Sequence, residues 1–235
     1  MISIQKQRGL TLVEIAIVLV IIGLLLGGIL KGQELITSAR VRNLADQNSG
    51  IQAAYYGFID RYRQIPGDMQ AALAIQAIGS SVPAGIGGDG NGRLNDDDWG
   101  EASALWVHLS RANFIQGNYA GGAADDGTYV AQTVSPINAF NGRVMLTRTQ
   151  GYYDANATPS YRLALFLGNQ IPVNVMRELD VKVDDSAPQT GVLRATKGTT
   201  VGEVNYSTPA CIDTTGTPIW DIDANEQDCG AIYLY

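Results

Sequence analysis

Oxygen-bearing side chains at alternate positions make residues 87–98 the stretch of this sequence best suited to bind a cation. Such spacing lets a tight loop curl around Ca²⁺, a large ion with permissive coordination geometry. When Gly87 takes the first position of the calcium-loop pattern, Gly92 falls at the sixth, where glycine is required, and Leu94 at the eighth. The loop therefore predicts calcium as a cofactor, with every ligand but the first: Asp89, Asn91, the Arg93 carbonyl, Asn95 and Asp98.

The acidic end of this loop has a simpler use, which is the alternative to calcium. Residues 96–98 are all aspartate and directly precede a predicted helix that begins at Trp99. Carboxylates at a helix N-terminus cap it and interact favourably with its dipole. A second acidic group could supply the missing calcium ligand or could form a solvated turn: Asp180, Asp184 and Asp185.

Catalytic chemistry is not predicted anywhere in the chain. The sequence contains a single histidine, His108, so it offers neither an ordinary zinc site nor a choice of histidine for a catalytic triad. Nucleophile, phosphate-loop, dinucleotide and CxxC motifs are also missing from the sequence. We expect a protein that is not an enzyme, in which His108 is a surface or packing residue that points off the apolar face of its helix.

A second distinctive stretch lies at the N-terminus, where Gly9 separates a basic leader from an apolar run. The run, residues 15–30, contains no charge, and the carboxylate of Glu14 directly precedes it. A carboxylate in lipid costs a few kcal/mol unless it is paired. An ordinary secretory signal has its apolar region before the cleavage site, whereas a cut after Gly9 would remove only the leader and keep the apolar run.

The sequence from Gly9 to Glu14, GLTLVE, resembles the processing site of the type IV pilin and pseudopilin superfamily. The resemblance implies that a prepilin peptidase cuts after Gly9 and methylates the new N-terminal residue, Leu10. It further implies that Glu14, with Thr11 in the same assembly region, pairs with the Leu10 amine of a neighbouring subunit. Phenylalanine is the usual residue after the glycine, so Leu10 departs from the family pattern.

By this resemblance, the protein is expected to be a structural subunit of a type IV pilus-like filament. Its partners would be the prepilin peptidase, other copies of itself, other pilins and the inner membrane before assembly. One alternative is a minor pilin or a type II secretion pseudopilin. An alternative of another class is a membrane-tethered binding domain or adhesin that does not polymerise.

Residues 10–30 are long enough to anchor the chain in a membrane. As an α-helix they would measure roughly 31 Å at ~1.5 Å per residue, about the thickness of a bilayer's hydrocarbon core. The basic leader predicts a cytoplasmic N-terminus, with the head outside. The protein is expected first as a single-pass protein of the inner membrane and then in an extracellular or periplasmic filament. The net charge of −7 makes nucleic acid an unsuitable partner.

The elements that follow predict an α+β fold. Residues 10–64 read as one long N-terminal helix, with 10–30 in the membrane or filament core and 31–64 packed on a head. The head, residues 65–235, is predicted to contain an antiparallel sheet. Short helices are predicted at residues 69–78, 99–112 and 172–179, and strands at residues 128–134, 143–149, 161–167, 191–195 and 231–235.

The two cysteines, Cys211 and Cys229, are predicted to form a disulfide. Both lie in the part of the chain that the charge argument places outside the membrane, where an oxidising compartment favours the bond. The bond would close a loop of 19 residues, both cysteines included. The resemblance adds that pilins commonly close a C-terminal loop in this way and that the loop contacts other subunits.

Overall fold

The computed structural model describes residues 11–123, 133–155, 158–197 and 211–235. The chain divides into two compact units, residues 1–40 and 41–235. The first long element, helix α1, covers 51 residues, Leu12–Tyr62. An α+β fold with a long N-terminal helix and an antiparallel sheet is confirmed. The predicted strand at residues 128–134 falls mostly outside the described residues.

The first unit contains the apolar part of α1. Its large aliphatic side chains between Leu12 and Leu30 are exposed. In the part of the chain that is described, α1 is the one helix long and apolar enough to cross a membrane, judged by length and composition. Burial inside this unit therefore does not account for its apolar side chains.

In the second unit, α1 contributes a buried stripe to the head. Leu44, Ile51, Tyr55 and Phe58 are all buried, at the spacing of one face of an amphipathic helix. They pack in one hydrophobic cluster with side chains from the other helices and from the sheet. This part of α1 is thus packed on the head, as predicted for residues 31–64.

Three shorter α-helices follow among the described residues. Their bounds are Ala71–Ala77 for α2, Trp99–Arg111 for α3 and Val173–Val183 for α4. The predicted helices at 69–78, 99–112 and 172–179 match these in position, although α4 runs four residues further. Gln70 takes the N-cap position of α2, and the Asp68 carboxylate instead accepts a hydrogen bond from the Asn91 amide.

The sheet of the head has four antiparallel strands in the order β1-β2-β6-β3. In the centre, Leu165 lies opposite Leu146 on one side and Tyr233 on the other. The strands lie within the four described stretches predicted to be strands: Met145–Thr149 (β1), Arg162–Phe166 (β2), Leu193–Ala195 (β3) and Ala231–Leu234 (β6).

Both faces of this sheet are buried. Leu146, Leu165 and Tyr233 face the large cluster that includes α1. Their neighbours along the strands belong to a second cluster with the start of α3: Trp99, Ala102, Met145, Ala164, Phe166, Ile232 and Leu234. Successive side chains of a strand point to opposite faces, so apolar side chains lie on both faces of the sheet. The start of α3 packs on the face that carries the second cluster.

The segment between the cysteines is more regular than its sequence predicts. Strands β4, Ile212–Asp213, and β5, Ile219–Trp220, form a second, two-stranded sheet, and a short 3-10 helix follows. The disulfide joins Cys211 to Cys229, with a Cα–Cα distance of 6.0 Å, and both residues are fully buried. It thereby closes a loop that contains both the two-stranded sheet and the 3-10 helix.

Candidate functional site

Thr11 and Glu14 form a capping box at the start of α1. The Thr11 amide and hydroxyl both donate to Glu14 Oε2 at 2.8 Å, and the Glu14 amide donates to Thr11 Oγ1 at 3.3 Å. This reciprocal arrangement satisfies amides that the first helical turn leaves without partners. Glu14 therefore has a local partner in the unprocessed chain. The predicted processing residues Gly9 and Leu10 lie outside the described residues.

In the head, three carboxylates from different segments meet beside the predicted calcium loop. One oxygen from each of Asp68, Asp89 and Glu101 lies within 4.8 Å of the other two. We call these three residues the loop cluster. Asp68 is 1% and Glu101 is 4% exposed, whereas Asp89 lies at the surface. Among the described residues, none of the three forms an ion pair.

Backbone amides satisfy the buried oxygens of the loop cluster. Asp68 accepts from the amides of Asn91 and Gly92, both at 2.9 Å. Glu101 accepts from the amide of Asn95 at 2.6 Å and from that of Asp89 at 3.3 Å. Hydrogen bonds to charged acceptors are stronger than neutral ones, so the carboxylates organise the loop around themselves.

The pKa values of the buried Glu101 and the exposed Asp89 shift in opposite directions. Burial raises the pKa of Glu101, and the charges of Asp98 and Asp68 add to this effect. A hydrogen bond from the Asn95 side chain does most to lower the pKa of Asp89. The exposed carboxylate thus keeps its charge most readily, as a cation ligand at the surface must.

The predicted calcium ligands divide between this cluster and other roles. Asp89, Asn91 and Asn95 lie together, with the Asn91 and Asn95 side chains hydrogen-bonded to Asp89. Asp98 instead caps α3, because its Oδ1 accepts from the Glu101 amide at 3.0 Å. The Arg93 side chain pairs with Asp96 at 3.6 Å, and only the Arg93 carbonyl remains a candidate ligand.

Sequence reasoning missed the two buried acids of the cluster. Asp68 lies 19 residues before Gly87, the first position of the loop pattern, and Glu101 lies in the first turn of α3. A template confined to consecutive loop residues cannot include either. The available signal was an acidic residue directly after Pro66-Gly67, a turn that the Gly67 φ of 95° makes sharp.

Close backbone approach brings the loop to Asp68. Gly88 and Gly90 donate to the carbonyls of Met69 and Asp68 at 3.1 and 2.9 Å. A Cβ on Gly87 would lie 2.5 Å from the Met69 carbonyl oxygen, and one on Gly88 would meet Glu101 Oε1. Gly87 is therefore a packing position and does not occupy a ligand position.

The prokaryotic N-terminal methylation motif matches residues 4–30 of the chain. Residues 4–30 carry the type IV pilin and pseudopilin signature. The match covers Gly9, where cleavage is predicted, the capping box and the whole apolar run of residues 15–30. No curated protein and no solved structure matches the chain. The motif supports a pilin-like precursor that prepilin peptidase processes, and the apolar helix fits a pilin anchored in the inner membrane.

The histidine of the chain is a buried structural residue. His108 is fully buried, and its Nδ1 accepts from the Gly67 amide at 3.0 Å. Its Nε2 lies 3.4 Å from the Ile86 carbonyl. The expectation that it points off the apolar face is wrong, because α3 is buried on all sides from Glu101 to Ser110. His108 thus holds the turn before Asp68.

A second acidic group forms where α4 ends. One oxygen from each of Asp180, Asp184 and Asp185 lies within 4.8 Å of the other two, and we call these residues the helix-end cluster. The two clusters share no carboxylate, and they are far apart in sequence. The helix-end cluster therefore does not supply the missing ligand of the loop cluster.

Proposed function

We propose that this protein is a structural subunit of a type IV pilus-like filament, cleaved after Gly9 and held in the inner membrane before assembly. The observation that carries the proposal is the methylation motif at residues 4–30. The mature N-terminus would be a methylated Leu10. The head would lie outside the cytoplasm, and copies of the chain, together with other pilins, would be the partners.

The hydrogen bonds of Glu14 support a role in assembly. Both bonds from Thr11 go to Oε2, and Oε1 accepts no hydrogen bond from a described residue. The freed Leu10 amine of a neighbouring subunit can therefore pair with Oε1 without breaking the cap. Opposite charges attract strongly in a low-dielectric setting, where an unpaired Glu14 is costly.

Substitution of Glu14 tests the filament proposal. We expect Glu14→Ala to insert in the membrane but to lower filament yield at least tenfold, because the Leu10 amine loses its partner. Glu34→Ala is the matched control, since it removes an exposed carboxylate from the same helix, 2.7 Å from Lys31. Filament yield is measured by shearing and electron microscopy. Equal yields from the two variants would reject the pairing, and monomeric wild type alone would favour a tethered binding domain.

Mass spectrometry of the N-terminus tests processing separately. In cells that hold a prepilin peptidase, we expect the chain to begin at a methylated Leu10. An intact Met1 in those cells would refute the cleavage. Long surface filaments would indicate a pilus subunit, and short periplasmic ones a secretion pseudopilin.

The calcium prediction for residues 87–98 stays a prediction, and the structure changes the residues to test. Asp68 and Glu101 are the acids that accompany Asp89. They take the place of Gly87, which offers no side-chain ligand, and of Asp98, which caps α3. Their oxygens, with those of the two asparagines, are the hard donors that Ca²⁺ prefers.

A further inference from the structure

The helix-end cluster runs from the protein interior to the surface. Asp180, on α4, is fully buried, Asp184 is half-buried and Asp185 is exposed. No ion pair among the described residues includes any of them. The nearby cations pair elsewhere, Lys182 with Glu178 and Arg194 with Asp154, although the Arg194 charge still helps to lower the pKa of Asp185.

One buried oxygen of Asp180 has no partner among the described residues. Its Oδ2 accepts from Trp220 Nε1 at 2.7 Å. Its Oδ1 is buried and accepts no hydrogen bond from a described residue. The Ser186 amide helps to lower the pKa of Asp180 but does not reach hydrogen-bond geometry with Oδ1. A buried carboxylate oxygen without a partner bears the full cost of its lost hydration.

The hydroxyl of Tyr233 is a second buried oxygen without a partner in the described chain. The Tyr233 side chain is 3% exposed. Burial, followed by the charges of Asp180 and Asp184, raises its pKa. The strand register places Tyr233 beside the same acidic group, because Leu193, opposite Tyr233, donates its amide to Asp184 Oδ2 at 3.1 Å. Two unsatisfied oxygens from different elements therefore lie near one acidic group.

The loop between α4 and β3 fixes the outer two carboxylates. Asp184 also accepts from the Val192 amide, and its carboxylate occupies the space that a Cβ on Gly191 would need. Asp185 accepts from the Thr190 hydroxyl and the Ala187 amide. Side chains held in this way lose little further entropy when they bind a ligand.

We propose that the helix-end cluster binds a divalent cation of the calcium type. The ion would offset three carboxylate charges and give Asp180 Oδ1 its missing partner, with water completing the shell on the exposed Asp185 side. The donors are all oxygen, which disfavours zinc and copper. Their arrangement on an irregular loop suits the flexible coordination of Ca²⁺ better than the octahedron that Mg²⁺ requires.

The test uses the full chain in detergent after treatment with a chelator, with Ca²⁺ as the titrant. The background is Asp89→Asn, which removes a carboxylate from the loop cluster. We expect Ca²⁺ at a hundredfold excess over Kd to raise the unfolding temperature by roughly 5–10 °C. Adding Asp180→Asn should abolish this rise, since the amide keeps an acceptor for Trp220 but removes the charge. Asp213→Asn, a half-buried acid inside the disulfide loop, is the matched control and should keep the rise.

Two further measurements keep the test decisive if Asp180→Asn does not fold. Asp185→Asn, at the surface, should weaken Ca²⁺ binding at least tenfold in calorimetry. Terbium bound at the cluster should emit when tryptophan is excited, and Trp220→Phe should lose most of that emission. An equal thermal response with and without Asp180→Asn, no response in the Asp89→Asn background, or an equal response to Mg²⁺ would overturn the proposal.

Discussion

The loop cluster and the helix-end cluster each contain three carboxylates, with one oxygen of each within 4.8 Å of the other two, but differ in what surrounds the buried oxygens. In the loop cluster, Asp68 and Glu101 accept amides that converge on them. In the helix-end cluster, Asp180 Oδ1 and the Tyr233 hydroxyl have no partner among described residues. Acid count alone therefore does not identify a cation site. The loop cluster can fold on its amides, whereas the helix-end cluster leaves a charge to be offset.

Removal of the disulfide should produce the largest difference between the two clusters. Trp220, the hydrogen-bond donor to Asp180, lies in the loop that the disulfide closes. For Cys211→Ser/Cys229→Ser, we expect the free energy of unfolding to fall by about 3 kcal/mol, the chain-entropy value for this loop. Urea unfolding and Ca²⁺ titration check this.

The expected loss of Ca²⁺ binding in the double serine variant is confined to the helix-end cluster. The Asp89→Asn background again isolates that cluster, and dithiothreitol treatment of the parent protein provides the matched control. Unchanged Ca²⁺ affinity in the reduced protein would show that the two features are independent.

Acid should weaken the loop cluster through His108, which binds the amide next to Asp68. Burial lowers the pKa of His108 from 6.5 to about 4. Because folding disfavours the protonated ring, its contribution to stability is complete above pH 6.5 and is lost as the pH falls towards 4. The loss is about 3 kcal/mol at ~1.4 kcal/mol per pKa unit.

Buried acids act in the opposite direction, so the His108 effect must be measured as a difference. Burial raises the pKa of Asp180 to about 6, which stabilises the fold as the pH falls. We therefore compare wild type with His108→Asn, in which the amide oxygen can still accept from Gly67. The wild type should lose more stability between pH 7 and pH 4, and parallel pH profiles would contradict the assignment.

Asp68→Ala should destabilise the head by about 2 kcal/mol, since two amides lose a charged acceptor and water compensates them in part. Asp68→Asn retains one acceptor oxygen and should lose about half as much. Denaturant unfolding measures both. A loss as large in Asp46→Ala, an exposed acid on α1, would show that charge and not hydrogen bonding is responsible.

The smallest expected effect is that of calcium on the loop cluster. In the Asp180→Asn background, a chelator should lower the unfolding temperature by only about 2 °C, because amides already stabilise these carboxylates. Asp89→Ala should remove that sensitivity. A larger drop would mean that the amide bonds of the loop cluster do not substitute for an ion, and the contrast between the clusters would disappear.

Local patterns predicted much of this fold. The stripe from Leu44 to Phe58 specifies one helix face. Short runs rich in apolar residues, separated by turn residues such as Asn141-Gly142, indicate β1, β2 and β6. The strand order requires pairing across long stretches of sequence, which no local pattern contains. His108 was misplaced because α3 is buried all round, and a periodicity argument assumes one solvent-facing side.

The sites divide in the same way. The N-terminal signature around Gly9 and Glu14 was predictable because its residues are contiguous in sequence. The cysteine pair was predictable because it has one intramolecular solution. Asp68 and Glu101 were not, since turns in the chain bring them to the loop from outside it. The unsatisfied oxygens of Asp180 and Tyr233 depend on packing, which composition does not record.

The missing Cβ atoms of Gly87 and Gly88 have a consequence for comparative genomics. Because a side chain at either position would collide with the segment that carries Asp68, the glycines and the loop acids should be inherited as a block. In an alignment of related heads, Gly-Gly-Asp should co-vary with a Gly-Asp pair about 20 residues earlier. Related proteins that lose the Gly-Gly-Asp segment should also lose the earlier Gly-Asp pair. Such an alignment would test the loop cluster without any bound ion.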